Sequence, residues 1–317
     1  KNTSPVIRIR VPEELESITI NDIIKGTVCV KTSELDDMII VRSDGSPTYL
    51  LSAVCDDNLM GITHVIRGDD HFTNAFRQYI IYLGCGWKIP EYAHMPLIYG
   101  QDGTKLSKRH GAVGVDEFKN LGYLPEALLV YLYSLGCSIS NVSNMSDAIS
   151  KFNIKKMSKS VSKFDMGILN KINKTIIKSK FPEEIVGLIN AISNANIPNE
   201  KFNKAFNELV QRANTLVEIQ DIFNKYFTEP DYELVVPEQD PAIIAKLADL
   251  FDSINYTEYD QIVKQINQFI DANCFDKTRV FNTLRWVLTR QSTSPNIYII
   301  IYVIGKAQCK KNLSLFI

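Results

Sequence analysis

The sequence predicts an α/β region followed by an all-α region. Between residues 38 and 100, apolar stretches of strand length alternate with a stretch of helical periodicity. From about residue 115 onward, apolar residues recur at helical spacing, and prolines separate the helical stretches. A chain of 317 residues, 45% of them hydrophobic, is long enough for the two or three domains that this change of pattern implies.

The first region is expected to be rich in strands. Apolar or alternating residues predict strands at 6–11, 26–30, 37–41, 61–68 and 94–100. Residues 69–84 have helical spacing, with Asp69 or Asp70 as the N-terminal cap and Gly84 at the C-terminal end. Because strands alternate with a helix, residues 38–100 are expected to form a parallel sheet.

The second region is expected to be helical. Helices are predicted at 116–122 and 124–136, and amphipathic helices occupy the chain from about residue 145 onward. The segments on both sides of residues 156–160 have a helical pattern, so no strand is expected before them. The breaks between helices are expected at Pro182, Pro198, Pro230, Pro237 and Pro241.

Composition excludes several classes of protein. The net charge is −1, so a nucleic acid would have to bind a local basic surface. The six cysteines are far apart and form no tight Cys/His cluster, which predicts neither a zinc site nor a disulfide framework. Free thiols are typical of a reducing cytoplasm. No secretory signal is expected, and the longest apolar run, 296–305, is too short to cross a bilayer.

Two lysine-rich stretches of similar sequence invite a functional interpretation. The first is KLSKR at 105–109, which follows a predicted strand and the turn at Asp102 and Gly103. Ligands of open α/β sheets bind beyond the carboxyl ends of strands, and lysines on a mobile loop can stabilise charge on a transferring phosphate. The alternative is a solvated basic turn, and these five residues alone do not decide between the two.

The second stretch is KMSKS at 156–160. It lies in a one-sided segment, 151–180, in which Asp165 is the single acidic residue and nine residues are lysines, at positions 151, 155, 156, 159, 163, 171, 174, 178 and 180. Such a segment can bind a phosphate backbone and release counterions. The alternative is a lysine-rich face that contacts only water.

Polar residues also follow the strands of the first region. Tyr49 comes after a turn, and Arg67 and Asp70 lie at a strand-to-helix junction. An arginine there can hold a carboxylate through two hydrogen bonds, and tyrosine can add a directional one. The alternative for Arg67 is an ion pair with a nearby acid, namely Asp56, Asp57, Asp69 or Asp70. The four histidines are dispersed, so no catalytic triad and no general base are predicted.

Three segments together resemble the bacterial glutamyl-tRNA synthetases, a class I family. They are residues 43–78, residues 92–118, which contain KLSKRHGAVG, and residues 122–136, which begin GYLPEAL. The resemblance continues through 147–165 and through the C-terminal stretches FNTLRWVLTR and SPNIYIIIYVIGK. It therefore covers essentially the whole chain, and the combination is more specific than KLSKR alone.

The resemblance implies a role for individual residues. Tyr49 and Arg67 match positions that bind glutamate, and Asp70 and Ile98 match positions of the ATP site. The mobile ATP loop of the family corresponds to Lys105, Leu106, Ser107, Lys108 and Arg109, with Lys105 and Lys108 as the catalytic lysines. The KMSKS stretch matches a non-catalytic turn in the region that contacts tRNA. Lys155, Lys156, Lys159, Lys163 and Arg285 are the candidate tRNA-binding residues.

The implied reaction joins L-glutamate to ATP as glutamyl-adenylate and then transfers glutamate to the 3′ end of tRNA(Glu). Mg²⁺ would accompany ATP. The implied fold is the second half of a class I Rossmann catalytic domain followed by helical stem-contact and anticodon-binding domains. The expected boundaries are 1–37 for the end of an acceptor-binding insertion, 38–114 for the Rossmann half, 115–180 for the stem-contact region, and 181–236 and 237–317 for two anticodon-binding domains. A cytoplasmic monomer is expected.

The chain departs from the family at two points. The upstream half with its HIGH motif is absent, so the chain, which starts at Lys1, is expected to be a C-terminal fragment that is inactive alone; the alternative is a processed start. Arg290 replaces a glycine that would permit a tight turn. Two other functions stay open: a non-catalytic tRNA-binding module, and an enzyme that also charges tRNA(Gln).

Overall fold

The computed structural model describes residues 4–106, 114–137, 142, 144–193, 195–234 and 236–317. The chain divides into two compact units. We call unit 1 the segments Lys1–Ala112 and Leu129–Asp165, and unit 2 the segments Val113–Leu128 and Met166–Ile317.

Unit 1 contains the strands of the described chain, and all of them are short. They are β1 (Ile7–Arg8), β2 (Ser17–Asp22), β3 (Gly26–Lys31), β4 (Ile39–Val41), β5 (His64–Gly68), β6 (Glu91–Met95), β7 (Ile98–Tyr99) and β8 (Ser162–Lys163). They pair as four two-stranded sheets: β2 with β3 and β1 with β4 antiparallel, β5 with β6 and β7 with β8 parallel.

The parallel pairing predicted for this region is confirmed between β5 and β6. In this pair His64 lies opposite Glu91 and Gly68 lies opposite Met95. The connection between them is α2 (Phe72–Cys85), an α-helix that crosses from the end of one strand to the start of the next. Both strands therefore end at the same edge, which is the edge that carries the candidate site.

Helices cover the strands of unit 1. They are α1 (Tyr49–Leu59), α2 and α5 (Met145–Lys151), and α4 (Pro125–Gly136) passes from unit 2 into unit 1. One apolar cluster joins β2, α2 and β6 through Ile18, Ile20, Ala75, Phe76, Ile80 and Tyr92. A second cluster contains Met38, Val54, Ile81 and Tyr82, with Trp87 packed against it.

Several predicted boundaries in unit 1 are wrong. The strand expected at 94–100 is two strands, because Pro96 and Leu97 separate β6 from β7. Helix α2 continues past Gly84 and ends at Gly86, which adopts the left-handed conformation. Neither Asp69 nor Asp70 caps α2, because both belong to a 3₁₀ turn that precedes it.

All the regular secondary structure in the described residues of unit 2 is helical, and loops connect the helices. Its helices are α3 (Val115–Asn120), the start of α4, α6 (Met166–Ser179), α7 (Pro182–Ser193), α8 (Asn199–Arg212), α9 (Leu216–Phe227), α10 (Pro241–Ser253), α11 (Tyr259–Ala272), α12 (Lys277–Thr289) and α13 (Ile297–Leu313). One apolar cluster extends from Leu124 to Leu313 and takes residues from α4 and from every helix after it in this unit. In the described part of the chain, no helix is long and apolar enough to cross a membrane.

The prolines predicted to break the helices lie at their boundaries. Pro182 and Pro241 are the first residues of α7 and α10, and Pro198 is the N-terminal cap of α8. The prediction that the chain from about residue 145 onward is helical, with short breaks at prolines, is wrong at one place. Residues 152–165 form a 3₁₀ turn and the strand β8, and β8 pairs with β7.

Arg290 takes the backbone conformation that a glycine would favour. It is the C-terminal cap of α12, with φ 55° and ψ 28°. Its guanidinium carbon lies 4.4 Å from the ring centre of Phe316 and 6.0 Å from that of Tyr232. The side chain is buried, and burial lowers the pKa of its guanidinium. The tight turn is therefore kept, with arginine packed on aromatic rings.

Candidate active site

Arg67 lies near the carboxyl end of β5, where its side chain is held by two partners. Its Nε donates a hydrogen bond to His94 Nε2 at 3.0 Å, and one Nη donates to the backbone oxygen of His71 at 3.2 Å. Its guanidinium carbon also lies 5.5 Å from the ring centre of Tyr92. These contacts fix the side chain while its remaining N–H groups stay available to a ligand.

The ion pair considered for Arg67 is not formed. Among the described residues, its guanidinium makes no hydrogen bond or ion pair with Asp56, Asp57, Asp69 or Asp70. Burial raises the pKa of Asp57, and the charge of Arg67 opposes that shift. Asp69 instead pairs with Lys25, whose Nζ lies 2.7 Å from its Oδ2.

His94 links Arg67 to a buried carboxylate. His94 Nδ1 lies 2.6 Å from Asp22 Oδ2, and both side chains are fully buried. Burial lowers the pKa of His94, and the hydrogen bond that its ring makes to Asp22 opposes this. Burial also acts to raise the pKa of Asp22, but hydrogen bonds from Lys25, His94 and Ile24 hold it below its usual range. The pair is therefore a carboxylate and a neutral imidazole at neutral pH.

Tyr49 lies in the same neighbourhood. It is the first residue of α1, directly after the turn that follows β4, as the sequence predicts. Its ring centre is 5.6 Å from that of His71, the residue whose backbone oxygen accepts from Arg67. The tyrosine is 49% exposed. His71 thus connects the two residues that the resemblance assigns to glutamate.

Asp70 and Lys105 meet at the same edge. Lys105 Nζ lies 2.7 Å from Asp70 Oδ2, and this hydrogen bond lowers the pKa of Asp70. Gly68 allows the carboxylate to lie against the strand end, because a Cβ there would come within 2.6 Å of Asp70 Oδ1. Since both charges are partly exposed, the pair contributes little to stability and can be exchanged for another partner.

Lys105 is brought back to β7 by a tight turn. Gly100 donates its amide to the oxygen of Thr104 at 2.8 Å, and Leu106 donates to the oxygen of Ile98 at 3.0 Å. Asp102 accepts hydrogen bonds from the amide and hydroxyl of Thr104. Ile98, Lys105 and Leu106 are therefore on one hairpin. Ser107, Lys108 and Arg109, which complete the predicted loop, lie outside the described residues.

The lysines of the second motif occupy a different place in unit 1. Lys156 ends a 3₁₀ turn, and Lys159 Nζ donates to the backbone oxygen of Lys25 at 3.2 Å. Within the described chain, Lys155, Lys156 and Lys163 are exposed and have no ion pair. Of the other lysines of the segment, those at 171, 174 and 178 are on α6 in unit 2, and Lys180 follows that helix in the same unit. The segment is therefore two groups of lysines that belong to different units.

Arg285 is on α12 in unit 2. Its Nη1 donates to Asn282 Oδ1 at 2.8 Å, and its Nε donates to Ser294 Oγ at 3.2 Å. These contacts hold the side chain along the helix. It is half-buried, so part of the guanidinium remains open to a ligand.

The residues that sequence reasoning missed are His71, His94 and Asp22. The histidines were set aside because no acid follows them at a catalytic spacing, but Asp22 is 72 residues before His94. No local spacing could reveal that pair. The signal that could have been used is the position of His94 in a predicted buried strand, where an ionisable side chain needs a partner.

The described residues contain no group of three or more His, Cys, Asp or Glu side chains that could hold a metal ion. The groups gathered at this edge are two cations, Arg67 and Lys105, with one exposed carboxylate and one tyrosine hydroxyl. Such a set can bind carboxylate and phosphate groups.

Comparison with known proteins identifies the family. A family model described as the catalytic domain of class I tRNA synthetases (E and Q) matches residues 1–171, and a model described as an anticodon binding domain matches residues 183–317. Glutamate–tRNA ligase 2 of Rickettsia akari is 34% identical over 98% of this chain. The chain belongs to the glutamate–tRNA ligase family. It is thus a class I tRNA synthetase and a ligase.

Other relatives give the same result. Glutamate–tRNA ligase 1 of Bartonella bacilliformis is 36% identical over 96% of the chain. A glutamate tRNA ligase from Elizabethkingia meningosepticum, whose crystal structure was solved in complex with its amino acid, has a TM-score of 0.81 and 26% identity over 98% of the chain. The chain spans 70%, 68% and 67% of the lengths of these three family members.

Proposed function

We propose that the chain activates L-glutamate with ATP, as glutamyl-adenylate, and transfers it to the 3′ end of tRNA(Glu). The observation that carries this proposal is the convergence of Arg67, Tyr49, Asp70 and Lys105 at the edge where β5 and β6 end. Cations beside a sheet edge suit a reaction between a carboxylate and a phosphate, in which the protein positions the reactants and stabilises charge.

Arg67 and Tyr49 are proposed to hold glutamate. The guanidinium of Arg67 is already oriented by His94 and His71, so its free N–H groups can pair with a carboxylate at little entropic cost. The hydroxyl of Tyr49 adds a hydrogen bond of defined direction. Ile98, on β7 beside the lysine hairpin, is proposed to lie near the adenine of ATP.

Lys105 and Lys108 are proposed to act on the phosphates, with Mg²⁺ bound to ATP as part of the substrate. Lys105 is paired with Asp70. A triphosphate carries more negative charge than one carboxylate, so it can draw Lys105 away from this exposed partner. Leu106, Ser107 and Arg109 are proposed to complete the ATP loop.

The tRNA is proposed to contact the exposed lysines 155, 156, 159 and 163, together with Arg285. The proposed domain boundaries at 37, 114, 180 and 236 divide the chain into an acceptor-side part, a catalytic part, a stem-contact part and two anticodon-side parts. Each contact with a phosphate should steepen the dependence of binding on salt.

The deciding experiment is tRNA-dependent ATP–pyrophosphate exchange with glutamate on the full-length protein. We expect Lys108→Ala to lower the exchange rate by about 10²–10³-fold, because it removes a charge that acts on the transition state. Lys159→Ala is the comparison variant, measured with tRNA at a saturating concentration because Lys159 is itself a proposed tRNA contact. Its Nζ contacts the oxygen of Lys25, and we expect a change in the exchange rate of less than about threefold.

Loss of exchange only in Lys159→Ala would overturn the assignment of the two lysine motifs. No charging of any tRNA with glutamate by the full-length protein would overturn the proposed function and leave a tRNA-binding module. Charging of purified tRNA(Gln) alongside tRNA(Glu) would identify a non-discriminating enzyme.

A further inference from the structure

The hydrogen bond between Arg67 and His94 constrains the protonation of the imidazole. Arginine has N–H donors and no acceptor, so His94 Nε2 must offer a lone pair to Arg67 Nε at 3.0 Å. The proton of the neutral ring is then on Nδ1, which lies 2.6 Å from Asp22 Oδ2. The order of donation is therefore Arg67 to His94 to Asp22.

Asp22 is itself held by the turn of the β2–β3 hairpin. Its Oδ1 accepts from the amides of Ile24 at 2.9 Å and Lys25 at 2.8 Å, and the His94 amide donates to Oδ2 at 3.0 Å. These donors, with the His94 ring, offset the cost of burying a charged carboxylate. The carboxylate cannot rotate without losing several of them, so its orientation is fixed by the backbone.

Aromatic rings confine the imidazole as well. The ring of His94 is stacked on Tyr92 at 5.7 Å and meets the edge of Phe72 at 4.9 Å. The guanidinium of Arg67 lies over Tyr92 on the same side of the sheet.

We propose that Asp22 and His94 are positioning residues that set the orientation of Arg67 for the carboxylate of its substrate. Asp22 selects the Nδ1–H tautomer of His94, and that tautomer presents an acceptor to Arg67 Nε. The guanidinium is thereby turned so that the N–H groups not used by His94 and His71 can face the ligand. This proposal rests on the proposed function, because it requires Arg67 to hold glutamate.

The test is Asp22→Asn in the full-length protein. If the asparagine oxygen still accepts hydrogen bonds from the amides of the turn, the asparagine NH₂ group faces His94 Nδ1. Nδ1 must then act as the acceptor, so the ring proton moves to Nε2. Two N–H groups, His94 Nε2–H and Arg67 Nε–H, then point at each other. Loss of this charge-assisted contact should raise the KM for glutamate by about 10- to 100-fold. The KM for ATP should stay unchanged. Thr32→Val is the matched control, since it removes a buried hydrogen bond to the Glu16 oxygen in unit 1.

A double-mutant cycle separates this proposal from the proposed function. Arg67→Ala should raise the KM for glutamate, and Asp22→Asn added to it should raise the KM no further. If Arg67→Ala raises the KM but Asp22→Asn changes only the melting temperature, as Thr32→Val does, the positioning role is overturned and the glutamate site stands. If Arg67→Ala leaves the KM unchanged, the glutamate site and the positioning role both fail.

Two further measurements keep the proposal testable if Asp22→Asn does not fold. Nitrogen NMR of the wild-type protein should show His94 as the neutral Nδ1–H tautomer, and an Nε2–H tautomer would overturn the proposal. His94→Gln can still offer an oxygen to Arg67, whereas His94→Leu cannot. We expect the KM for glutamate to be at least about fivefold lower in His94→Gln than in His94→Leu. Equal values would contradict a positioning role.

Discussion

The interiors of the two units are built differently. Unit 2 has one apolar cluster that runs from Leu124 to Leu313 through successive helices. Unit 1 has smaller clusters between short strands and helices, and it also buries Asp22 and His94 completely. The apolar interior depends on how much surface is buried, whereas the polar interior depends on partners that lie far apart in the chain.

This difference predicts different weak points. Unit 2 should tolerate changes of pH and should respond to changes of shape, because its interior is closely packed and apolar. Unit 1 should respond to protonation, because a charged carboxylate and a neutral imidazole are built into it. The chain has two tryptophans, Trp87 in unit 1 and Trp286 in unit 2, so each unit can be followed by its own fluorescence.

The largest effect is expected from Gly122→Ala in unit 2. Gly122 has a φ of 81°, and a Cβ there would lie 2.6 Å from the amide nitrogen of Val217. Its oxygen also accepts a hydrogen bond from Leu216 at 2.9 Å, at the start of α9. The strained backbone and the overlap with main-chain atoms should lower the free energy of unfolding by about 2–4 kcal/mol.

Urea denaturation followed at Trp286, in a Trp87→Phe background, measures this change. Gly187→Ala is the control, since Gly187 is inside α7 with nothing within 4 Å of an added Cβ. It should raise the free energy of unfolding by about 0.5–1 kcal/mol. If both substitutions changed the free energy of unfolding in the same direction, the close approach at Gly122 would not matter for stability.

An intermediate effect is expected from acid. The histidines among the described residues, His64, His71 and His94, lie in unit 1, and burial lowers the pKa of His94. The groups facing this ring are Asp22 on β2, Arg67 on β5, Tyr92 on β6 and the nearby charge of Asp69. Because the folded pKa is below the unfolded value, the unfolded chain takes up the proton first as the pH falls.

The stability contribution of His94 is therefore complete above pH 6.5, its ordinary pKa, and decreases below it until the folded pKa is passed. That of Asp22 is complete above its ordinary value of 3.8 and is lost below that pH. The urea midpoint can be measured at pH 7.5 and at pH 5, which bracket the ordinary histidine pKa of about 6.5. Between these two pH values, the midpoint followed by Trp87 fluorescence should fall more than the midpoint followed by Trp286 fluorescence. An equal fall at both would mean that the buried pair does not set the acid sensitivity of unit 1.

The smallest effect is expected at Arg290, the polar exception inside unit 2. Its Nε is buried and has no hydrogen-bond partner among the described residues, and its left-handed backbone suits glycine. Arg290→Gly removes the unpaired Nε and the strain of a left-handed non-glycine residue, but it also loses the contact with Phe316. The net change in the free energy of unfolding should therefore be below about 1 kcal/mol. Arg290→Ala keeps the Cβ and should be less stable than Arg290→Gly by about 1 kcal/mol. Denaturation at Trp286 measures the two variants side by side.

Local patterns predicted many of the elements, because helices are stabilised by neighbours in sequence. Pro182, Pro198 and Pro241 marked the starts of helices correctly, since proline lacks an N–H and favours the first turn. The strand β2 was missed, and β8 was mistaken for helix, because a two-residue strand exists only through its partner. Ser162 lies opposite Ile98, which is 64 residues away in the chain.

The candidate site also has a part that the sequence could predict and a part that it could not. Tyr49, Arg67, Asp70 and Lys105 could be chosen from the sequence because each follows a strand or a turn, and ligands bind where strands end. The hydrogen-bond partners of Arg67 could not be predicted in this way. The sequence also could not show that Arg67 forms no ion pair with the nearby acids. Those depend on which strand lies beside which, and β5 and β6 are joined only after α2 has crossed between them.

The sequence by itself determined the order of an α/β region and a helical region, the family of the chain and the residue types at the sheet edge. The tertiary structure decided which groups come into contact. Asp22 is hydrogen-bonded to His94, His94 accepts a hydrogen bond from Arg67, and Lys105 forms an ion pair with Asp70. The physical reason is the distance along the chain over which each kind of interaction acts. Periodicity, capping and turn chemistry act over a few residues, whereas a buried charge is stabilised by whichever donors the folded chain brings to it, here from 72 residues away.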